Sequence, residues 1–381
     1  MVHLLILVIY LSFISLGLPD GLLGAAWPSM YPGFGVSVSW AGAVSMTIAL
    51  GTILSSLMSD RLTWRFGPGK VTAVSVAMTA AALFGFSSCT EYWMLLLWAI
   101  PYGLGAGGVD ASLNNYVALH YSSRHMSWLH CMWGVGASTG PYIMGWVLSG
   151  GQHWSGGYRI VGTLQILLTM VLFLSLGLWK NRQTEVETSE PVPLHRVLRI
   201  PGAKDILVTF FCYCGLEQTT ALWASSYLTL SRGVDAETAA FFASLFFLGM
   251  TVGRGLNGFL TLKFDDKTLI RLGAAIIGLG AGSMLLPGDM ALAGLLLVGL
   301  GCAPVYPCII HSTPANFGPE KSQALIGVQM ASAYVGTLLM PPVFGLIANH
   351  IGAWTMPIYL LAILVLMIVM HERMLQKVHS G

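Results

Sequence analysis

Residues 103–115 read GLGAGGVDASLNN, and they lie within an apolar run that covers residues 93–119. The run is long enough to cross a bilayer, which takes a helix of about 20 residues. A carboxylate near the middle of such a helix costs about 2.5–3.5 kcal/mol on insertion scales. Because this cost is high, we expect Asp110 to have a function that needs its charge. Asn114 lies one helical turn further along and shares the same face. We expect that face to look into protein or water rather than lipid.

The composition indicates a membrane protein with many spans. Of 381 residues, 55% are hydrophobic and only 9% are charged, and the mean hydropathy is +0.73. Soluble domains carry about 25% charged residues, so little of this chain can form one. The net charge of +2 gives no sign of nucleic-acid binding, because the cations are scattered among loops, and we predict no nucleic-acid partner. The six cysteines fall in or near apolar runs, and we predict neither a disulfide framework nor a metal site.

Twelve apolar runs predict twelve membrane-spanning helices. They cover residues 4–30, 39–58, 71–87, 93–119, 126–148 and 158–179 and, after a polar linker, 205–230, 239–262, 269–286, 291–313, 324–347 and 356–370. We therefore predict an all-α membrane protein with an N-terminal six-helix bundle (1–179), a cytoplasmic linker (180–204) and a C-terminal six-helix bundle (205–381). Lysine and arginine fall almost entirely on one side if both termini are cytoplasmic. We expect a multi-pass protein of the plasma membrane, the inner membrane of a bacterial cell.

The two halves share short motifs that indicate an internal repeat. Residues 299–306 read GLGCAPVY and, laid without gaps on residues 103–110, repeat Gly, Leu, Gly and Val. This alignment puts Tyr306 where Asp110 stands. Asp20 in the first span has a counterpart in Glu217 of the seventh, at nearly the same offset. We therefore predict two pseudo-symmetric halves.

Several motifs of enzymes and pumps are absent or out of context. Gly103, Gly105 and Gly108 satisfy the Gly-x-Gly-x-x-Gly pattern, but no strand precedes them and they lie in a spanning run. The sequence has no phosphate-binding loop of ATPases, no spaced metal-ligand set and no nucleophile–base arrangement. We predict no cofactor and no enzymatic activity.

Polar and charged side chains inside the spans form the candidate site. The acids Asp20, Asp110 and Glu217 are predicted to couple a proton. Side chains that could contact a solute are Asn114, His130, Trp133, Trp223, Arg254, Tyr306, His311 and Gln329. Alternatives stay open: Glu217 and Arg254 could form a structural ion pair, the other acids could lock helices together, and the histidines and tryptophans could serve packing.

The loop after the second span carries a family resemblance. Residues 56–65 read SLMSDRLTWR, which resembles the cytoplasmic signature Gly-x-Leu-[Ser/Ala]-Asp-Arg-x-Gly-Arg-Arg of the major facilitator superfamily. Asp60, Arg61 and Arg65 match, whereas Ser56, Thr63 and Trp64 depart from it. The resemblance implies two six-helix bundles and a charge relay of the matching residues that latches the inward gate. The alternative is an ordinary loop with cytoplasmic positive charge.

A narrower resemblance points to the fucose/glucose-type sugar permeases of that superfamily. It rests on Asp20, on the acid Asp110 of the fourth span, on His130 before a glycine-rich stretch, and on the Gly-Leu-Gly…Pro-Val-Tyr-Pro run at 299–307. In proton-coupled members, an acid on the first helix and one on the fourth serve substrate binding and proton coupling. The family residue on the fourth helix is glutamate, so Asp110 is a shorter substitute.

These patterns predict a secondary transporter that imports a sugar or similar small polar solute together with protons, as a monomer in the lipid bilayer. The first alternative is a proton-coupled drug or metabolite efflux antiporter. Gly136, Gly140 and Pro141 resemble the Gly-x-x-x-Gly-Pro motif that is frequent in drug antiporters, although a small-residue packing face explains these glycines equally well. The second is a non-transporting membrane receptor or an intramembrane enzyme.

Overall fold

The structure is a computed structural model of the chain, and it describes residues 2–37, 40–180, 191–234, 236–288 and 290–379. Within those ranges every regular element is helical. The α-helices are α1 Val2–Gly17, α2 Leu22–Met30, α3 Ala41–Phe66, α4 Pro68–Ser87, α5 Tyr92–His120, α6 Ser123–Ser149, α7 Ser155–Leu174, α8 Leu176–Lys180, α9 Leu194–Val197, α10 Ala203–Arg232, α11 Ala236–Leu260, α12 Asp266–Ser283, α13 Met290–Phe317, α14 Pro319–His350 and α15 Met356–His379.

Ten of the twelve predicted spans each coincide with one long helix. The first is divided between α1 and α2, and the sixth between α7 and α8. Eight helical stretches of the described chain are long and apolar enough to cross a bilayer by themselves. The shortest of the twelve spans, α12, is not among them because its 18 residues begin with Asp266 and Lys267 and include Arg271. Of the predicted linker, residues 181–190 lie outside the described residues.

The chain forms two compact units. The first consists of residues 1–116 and 129–192, and the second of residues 117–128 and 193–381. The second unit therefore includes the end of α5 and the start of α6, which the sequence analysis assigns to the N-terminal bundle. Trp128 packs in this unit against Phe259, with ring centroids 5.7 Å apart.

Equivalent glycines hold equivalent helices together in each unit. A Cβ atom on Gly103 of α5 would overlap the Ile48 carbonyl oxygen of α3. In the second unit, a Cβ atom on Gly299 of α13 would overlap the Phe246 carbonyl oxygen of α11. Small residues at such positions let helix backbones approach closely. Two more equivalent pairs lie against backbone carbonyls of the same kind: Gly105 with Gly301, and Gly136 with Gly336.

A cluster of ion pairs fastens the last helix of the second unit. The Asp205 carboxylate, at the start of α10, is buried and lies 2.6 Å from Lys377 Nζ and 3.7 Å from Arg373 Nε of α15. Glu372 of α15 accepts two hydrogen bonds from Arg271 of α12, at 2.5 and 2.7 Å. These contacts tie α15 to α10 and α12 near its C-terminal end.

Candidate functional site

The first predicted span is broken at Asp20. The helix α1 ends at Gly17, residues 18–21 form a turn, and α2 begins at Leu22. The break has a local cause, because Pro19 has no N–H and its ring obstructs a continuous helix. The Asp20 N–H donates to the Gly17 carbonyl, three residues back, at 3.1 Å. Interrupted helices place polar backbone and side chains inside membrane transporters, where they form substrate and ion sites.

Asp20 is oriented by a tryptophan of α6. The Trp133 indole N–H donates to Asp20 Oδ2 at 2.8 Å. Asp20 is exposed in the structure, although it lies within an apolar span. The two residues were predicted to belong to one site, as a coupling acid and a solute contact, and the structure brings them together.

The glycine-rich part of α6 packs against the backbone of the break. A Cβ atom on Gly136 would overlap the Ile14 carbonyl oxygen, and one on Gly140 would overlap the Leu18 carbonyl oxygen. On the facing segment, a Cβ on Gly17 would overlap the Trp133 carbonyl oxygen. The close approach explains how Trp133 reaches Asp20, and it explains the Gly-x-x-x-Gly pattern of α6 by packing.

A second acid of the first unit forms a buried chain of hydrogen bonds. Asn114 Nδ2 donates to Asp110 Oδ1 at 2.8 Å, and His130 Nε2 lies 3.0 Å from Asn114 Oδ1. Because Asn114 presents its amide nitrogen to the carboxylate, its oxygen faces the histidine, and the Nε2–H tautomer of His130 satisfies it. All three side chains are at most 5% exposed.

The second unit contains an ion pair inside its membrane spans, between Arg254 and Glu217. Arg254 Nη2 of α11 lies 3.9 Å from Glu217 Oε2 of α10, and both residues are buried. Tyr213 and Tyr306 lie near the guanidinium group, and the Tyr213 hydroxyl donates to the Cys302 carbonyl at 2.9 Å. The ion pair that the sequence offered as one alternative is therefore present. The predicted roles of Glu217 in coupling and of Arg254 in solute contact stay predictions.

Three other predicted solute contacts hold partners within the second unit. The Tyr306 hydroxyl lies 3.1 Å from Met330 Sδ. The Trp223 indole N–H donates to the Pro341 carbonyl at 3.1 Å. Gln329 is fully buried, and its Oε1 accepts from the Thr313 hydroxyl at 3.1 Å.

His311 lies where the start of α12 and the end of α5 meet. Its Nδ1 is 2.5 Å from Asp266 Oδ2, and its Nε2 is 3.2 Å from the Tyr121 carbonyl oxygen. Asp266 also accepts a hydrogen bond from the Ser123 hydroxyl. Both ring nitrogens of His311 thus have partners at the ends of other helices. The sequence pattern did not predict these contacts.

The predicted gating acid contacts the backbone of the predicted linker. Asp60 Oδ2 accepts a hydrogen bond from the Val192 N–H at 2.8 Å. The Arg65 guanidinium lies over the Phe66 ring, 5.4 Å from its centroid. The relay of Asp60, Arg61 and Arg65 stays a prediction.

Sequence reasoning missed two polar residues beside the break. Gln165 of α7 donates from Nε2 to the Ser15 carbonyl at 2.8 Å and accepts at Oε1 from the Thr79 hydroxyl at 2.6 Å. Gln165 and Thr79 are buried. The signal that was available is Pro19 directly before an intramembrane acid, because a proline frees the carbonyl four residues earlier.

Two six-span halves of like packing, with acids inside the spans, define a polytopic membrane transporter. The chain belongs to the major facilitator superfamily, whose family model matches residues 9–290 and 206–374. It is a transporter rather than an enzyme.

Individual relatives are distant but cover nearly the whole chain. Bypass of stop codon protein 6 of Saccharomyces cerevisiae is 21% identical over 94% of this chain and 80% of its own length. Among solved structures, FucP in the outward conformation superposes with a TM-score of 0.79 at 16% identity, covering 96% of this chain and 98% of FucP. A variant of FucP, the E. coli fucose:proton symporter, gives a TM-score of 0.76 at 16% identity. The proton:xylose symporter XylE gives 0.79 at 13% identity, covering 96% and 94%. The predicted major facilitator fold and the resemblance to fucose permease-like transporters are confirmed.

Proposed function

We propose that this protein imports a sugar or similar small polar solute together with protons, by alternating exposure of its site to the two sides of the membrane. One observation carries the proposal: Asp20 stands in a break of the first membrane helix, is exposed there, and receives the Trp133 N–H. Fucose and xylose are the sugars in the names of FucP and XylE, two proteins that share this fold.

The proton chemistry follows from two opposing influences on Asp20. Apolar surroundings favour the neutral acid, whereas a hydrogen bond to the carboxylate favours the ionised form. An acid under both influences can take up and release a proton as its surroundings change. Asp110 supports this role as a second acid of the same unit, which is buried inside a membrane span.

The solute contact follows from the same pair of residues. A carboxylate accepts hydrogen bonds from sugar hydroxyls, and an indole ring presents an apolar face to a sugar ring. Trp133 combines such a face with an N–H that is already committed to Asp20. Protonation of Asp20 would alter both its charge and its hydrogen bonding, which couples solute affinity to the proton.

The remaining predicted features complete the proposal. The bundles 1–179 and 205–381 would move relative to each other about the site, with Asp60, Arg61 and Arg65 latching the cytoplasmic gate. Both termini would lie in the cytoplasm of a monomer in the plasma membrane. Gly136 and Gly140 pack closely against Ile14 and Leu18, so these glycines do not by themselves favour export by an antiporter.

Uptake into proteoliposomes tests the proposal. Purified protein is reconstituted and offered labelled hexoses, pentoses and hexuronates, with and without an inward proton gradient. We expect the gradient to drive accumulation of at least one sugar, and a protonophore to abolish it. Asp20→Asn and Asp110→Asn should lose accumulation while counterflow exchange partly survives.

The matched control is Asp265→Asn, because Asp265 caps the start of α12 outside the spans and accepts from the Thr268 N–H. Normal accumulation by both Asp20→Asn and Asp110→Asn would overturn the coupling assignment. Gradient-driven release of lipophilic compounds, without sugar uptake, would support export instead.

A further inference from the structure

A glutamine from a distant helix satisfies the carbonyl that the broken first helix leaves open. In a continuous helix the Ser15 carbonyl would accept from the N–H of residue 19, but Pro19 has none. Gln165 Nε2 of α7 donates to this carbonyl at 2.8 Å instead. The carbonyl only accepts, so it determines that the amide nitrogen of Gln165 faces it.

The helix α4 contacts the amide oxygen of Gln165. The Thr79 hydroxyl of α4 donates to Gln165 Oε1 at 2.6 Å, which is shorter than its 2.9 Å contact with the Val76 carbonyl of its own helix. Ser15, Thr79 and Gln165 are all buried. Because these groups are buried, an unpaired carbonyl or amide here would be costly, so the three groups specify one arrangement of α1, α4 and α7.

The arrangement acts on Asp20 through the break itself, because only residues 16–19 separate Ser15 from Asp20. Pro19 both frees the Ser15 carbonyl and directly precedes Asp20, whose N–H turns back to the Gly17 carbonyl. From the other side, Trp133 of α6 donates to the Asp20 carboxylate. The break is therefore held by α7 on its backbone and by α6 on its acid.

We propose that Gln165 is a positioning residue for Asp20, which holds the broken helix so that the carboxylate meets the Trp133 N–H in its working geometry. The inference rests on the proposed function, because it assumes that Asp20 carries the coupling proton. Gln165 itself touches neither proton nor solute in this scheme.

The decisive variants are Gln165→Leu and Gln165→Glu. Leucine fills similar space but offers no donor, and it keeps water out. Glutamate, when protonated in this buried place, donates its O–H to the Ser15 carbonyl and still accepts from Thr79. Gln165→Ala is less informative, because a small cavity lined by Ser12, Ser15 and Thr79 adjoins the site and water there would replace the amide.

Proteoliposome uptake across a range of external pH gives the readout. We expect Gln165→Leu to lower gradient-driven uptake about tenfold, the effect of about one buried hydrogen bond, and to displace the pH of half-maximal uptake. Gln165→Glu should retain most uptake at acidic pH. The control Gln152→Leu makes the same change at an exposed glutamine of the first unit and should behave as wild type.

A structural role alone predicts a different result. If Gln165→Leu lowers the melting temperature and scales uptake equally at every pH, with the half-maximal pH unmoved, Gln165 only supports folding and the inference fails. If Gln165→Leu is not recovered from membranes, Thr79→Val decides, because it removes the donor to the same amide and should displace the profile in the same direction.

The outcome for Asp20 separates this inference from the proposed function. If Asp20→Asn loses accumulation and Gln165→Leu behaves as wild type, only the positioning role is wrong. If Asp20→Asn accumulates solute normally, the proposed coupling is wrong irrespective of Gln165.

Discussion

The Trp133–Asp20 hydrogen bond is the contact on which the proposed chemistry depends. Hydrogen bonds to charged groups contribute about 1.5–3 kcal/mol, and this one also sets the direction of the carboxylate. Trp133→Phe keeps an aromatic face and removes the donor. We expect gradient-driven uptake to fall about tenfold, measured in proteoliposomes, since Asp20 loses its orientation.

The control for this substitution lies on the same helix. Trp146 of α6 is 64% exposed, so Trp146→Phe should leave uptake unchanged. Unaltered uptake by Trp133→Phe would show that the indole N–H has no part in coupling.

The buried chain of Asp110, Asn114 and His130 predicts a stability effect. His130→Leu leaves Asn114 Oδ1 buried without its donor, which costs about 1–3 kcal/mol. His130→Gln can supply an N–H to the same oxygen and should recover most of that loss. Thermal unfolding in detergent measures both, with the exposed His195→Leu as the control. Equal melting temperatures for His130→Leu and wild type would contradict the hydrogen-bonded arrangement.

At the scale of elements, the approach of α6 to the broken helix depends on two glycines. Gly140→Ala places a Cβ against the Leu18 carbonyl oxygen, and backbone cannot yield as a flexible side chain does. We expect a destabilisation of about 1–3 kcal/mol, as for other overpacked sites, together with reduced uptake. Thermal unfolding and proteoliposome uptake measure the two effects.

The same helix provides the comparison. A Cβ on Gly145 would meet nothing within 4 Å, so Gly145→Ala should be neutral. The internal repeat extends the argument: Gly336→Ala should behave like Gly136→Ala, because each Cβ would overlap a carbonyl oxygen of the equivalent facing helix, at Phe211 and Ile14. A neutral Gly140→Ala would show that α6 lies further from α1.

The spans and the repeat could be predicted from sequence because both leave local patterns. The length of each apolar run predicted a spanning segment, and the shared Gly-Leu-Gly motif predicted that Gly103 and Gly299 occupy equivalent positions in the two halves. The break at Pro19 was not predicted, because one proline hardly changes the mean hydropathy of a span-length run. Gln165 was missed because its partner Ser15 lies far away in the chain, and a lone glutamine in an apolar run indicates no partner.

At the scale of the whole molecule, the repeat preserves packing while the chemistry differs between halves. Asp20 stands beside a tryptophan, whereas its counterpart Glu217 stands beside Arg254. The position of Asp110 is occupied by Tyr306 in the second half. We infer that the equivalent glycines maintain the same helix packing in both units, whereas the polar side chains inside the spans differ between the units.

The Glu217–Arg254 pair offers the last test, because it separates folding from transport. Removing one partner of a buried ion pair leaves an uncompensated charge and costs about 3–5 kcal/mol. Arg254→Gln should therefore lower the melting temperature markedly, and the double variant Glu217→Gln/Arg254→Gln should restore much of it. If Glu217 couples a proton and Arg254 contacts the solute, as the sequence predicts, the double variant folds but accumulates no sugar. If accumulation returns together with stability, the pair only joins α10 to α11, and the transport chemistry belongs to the first unit.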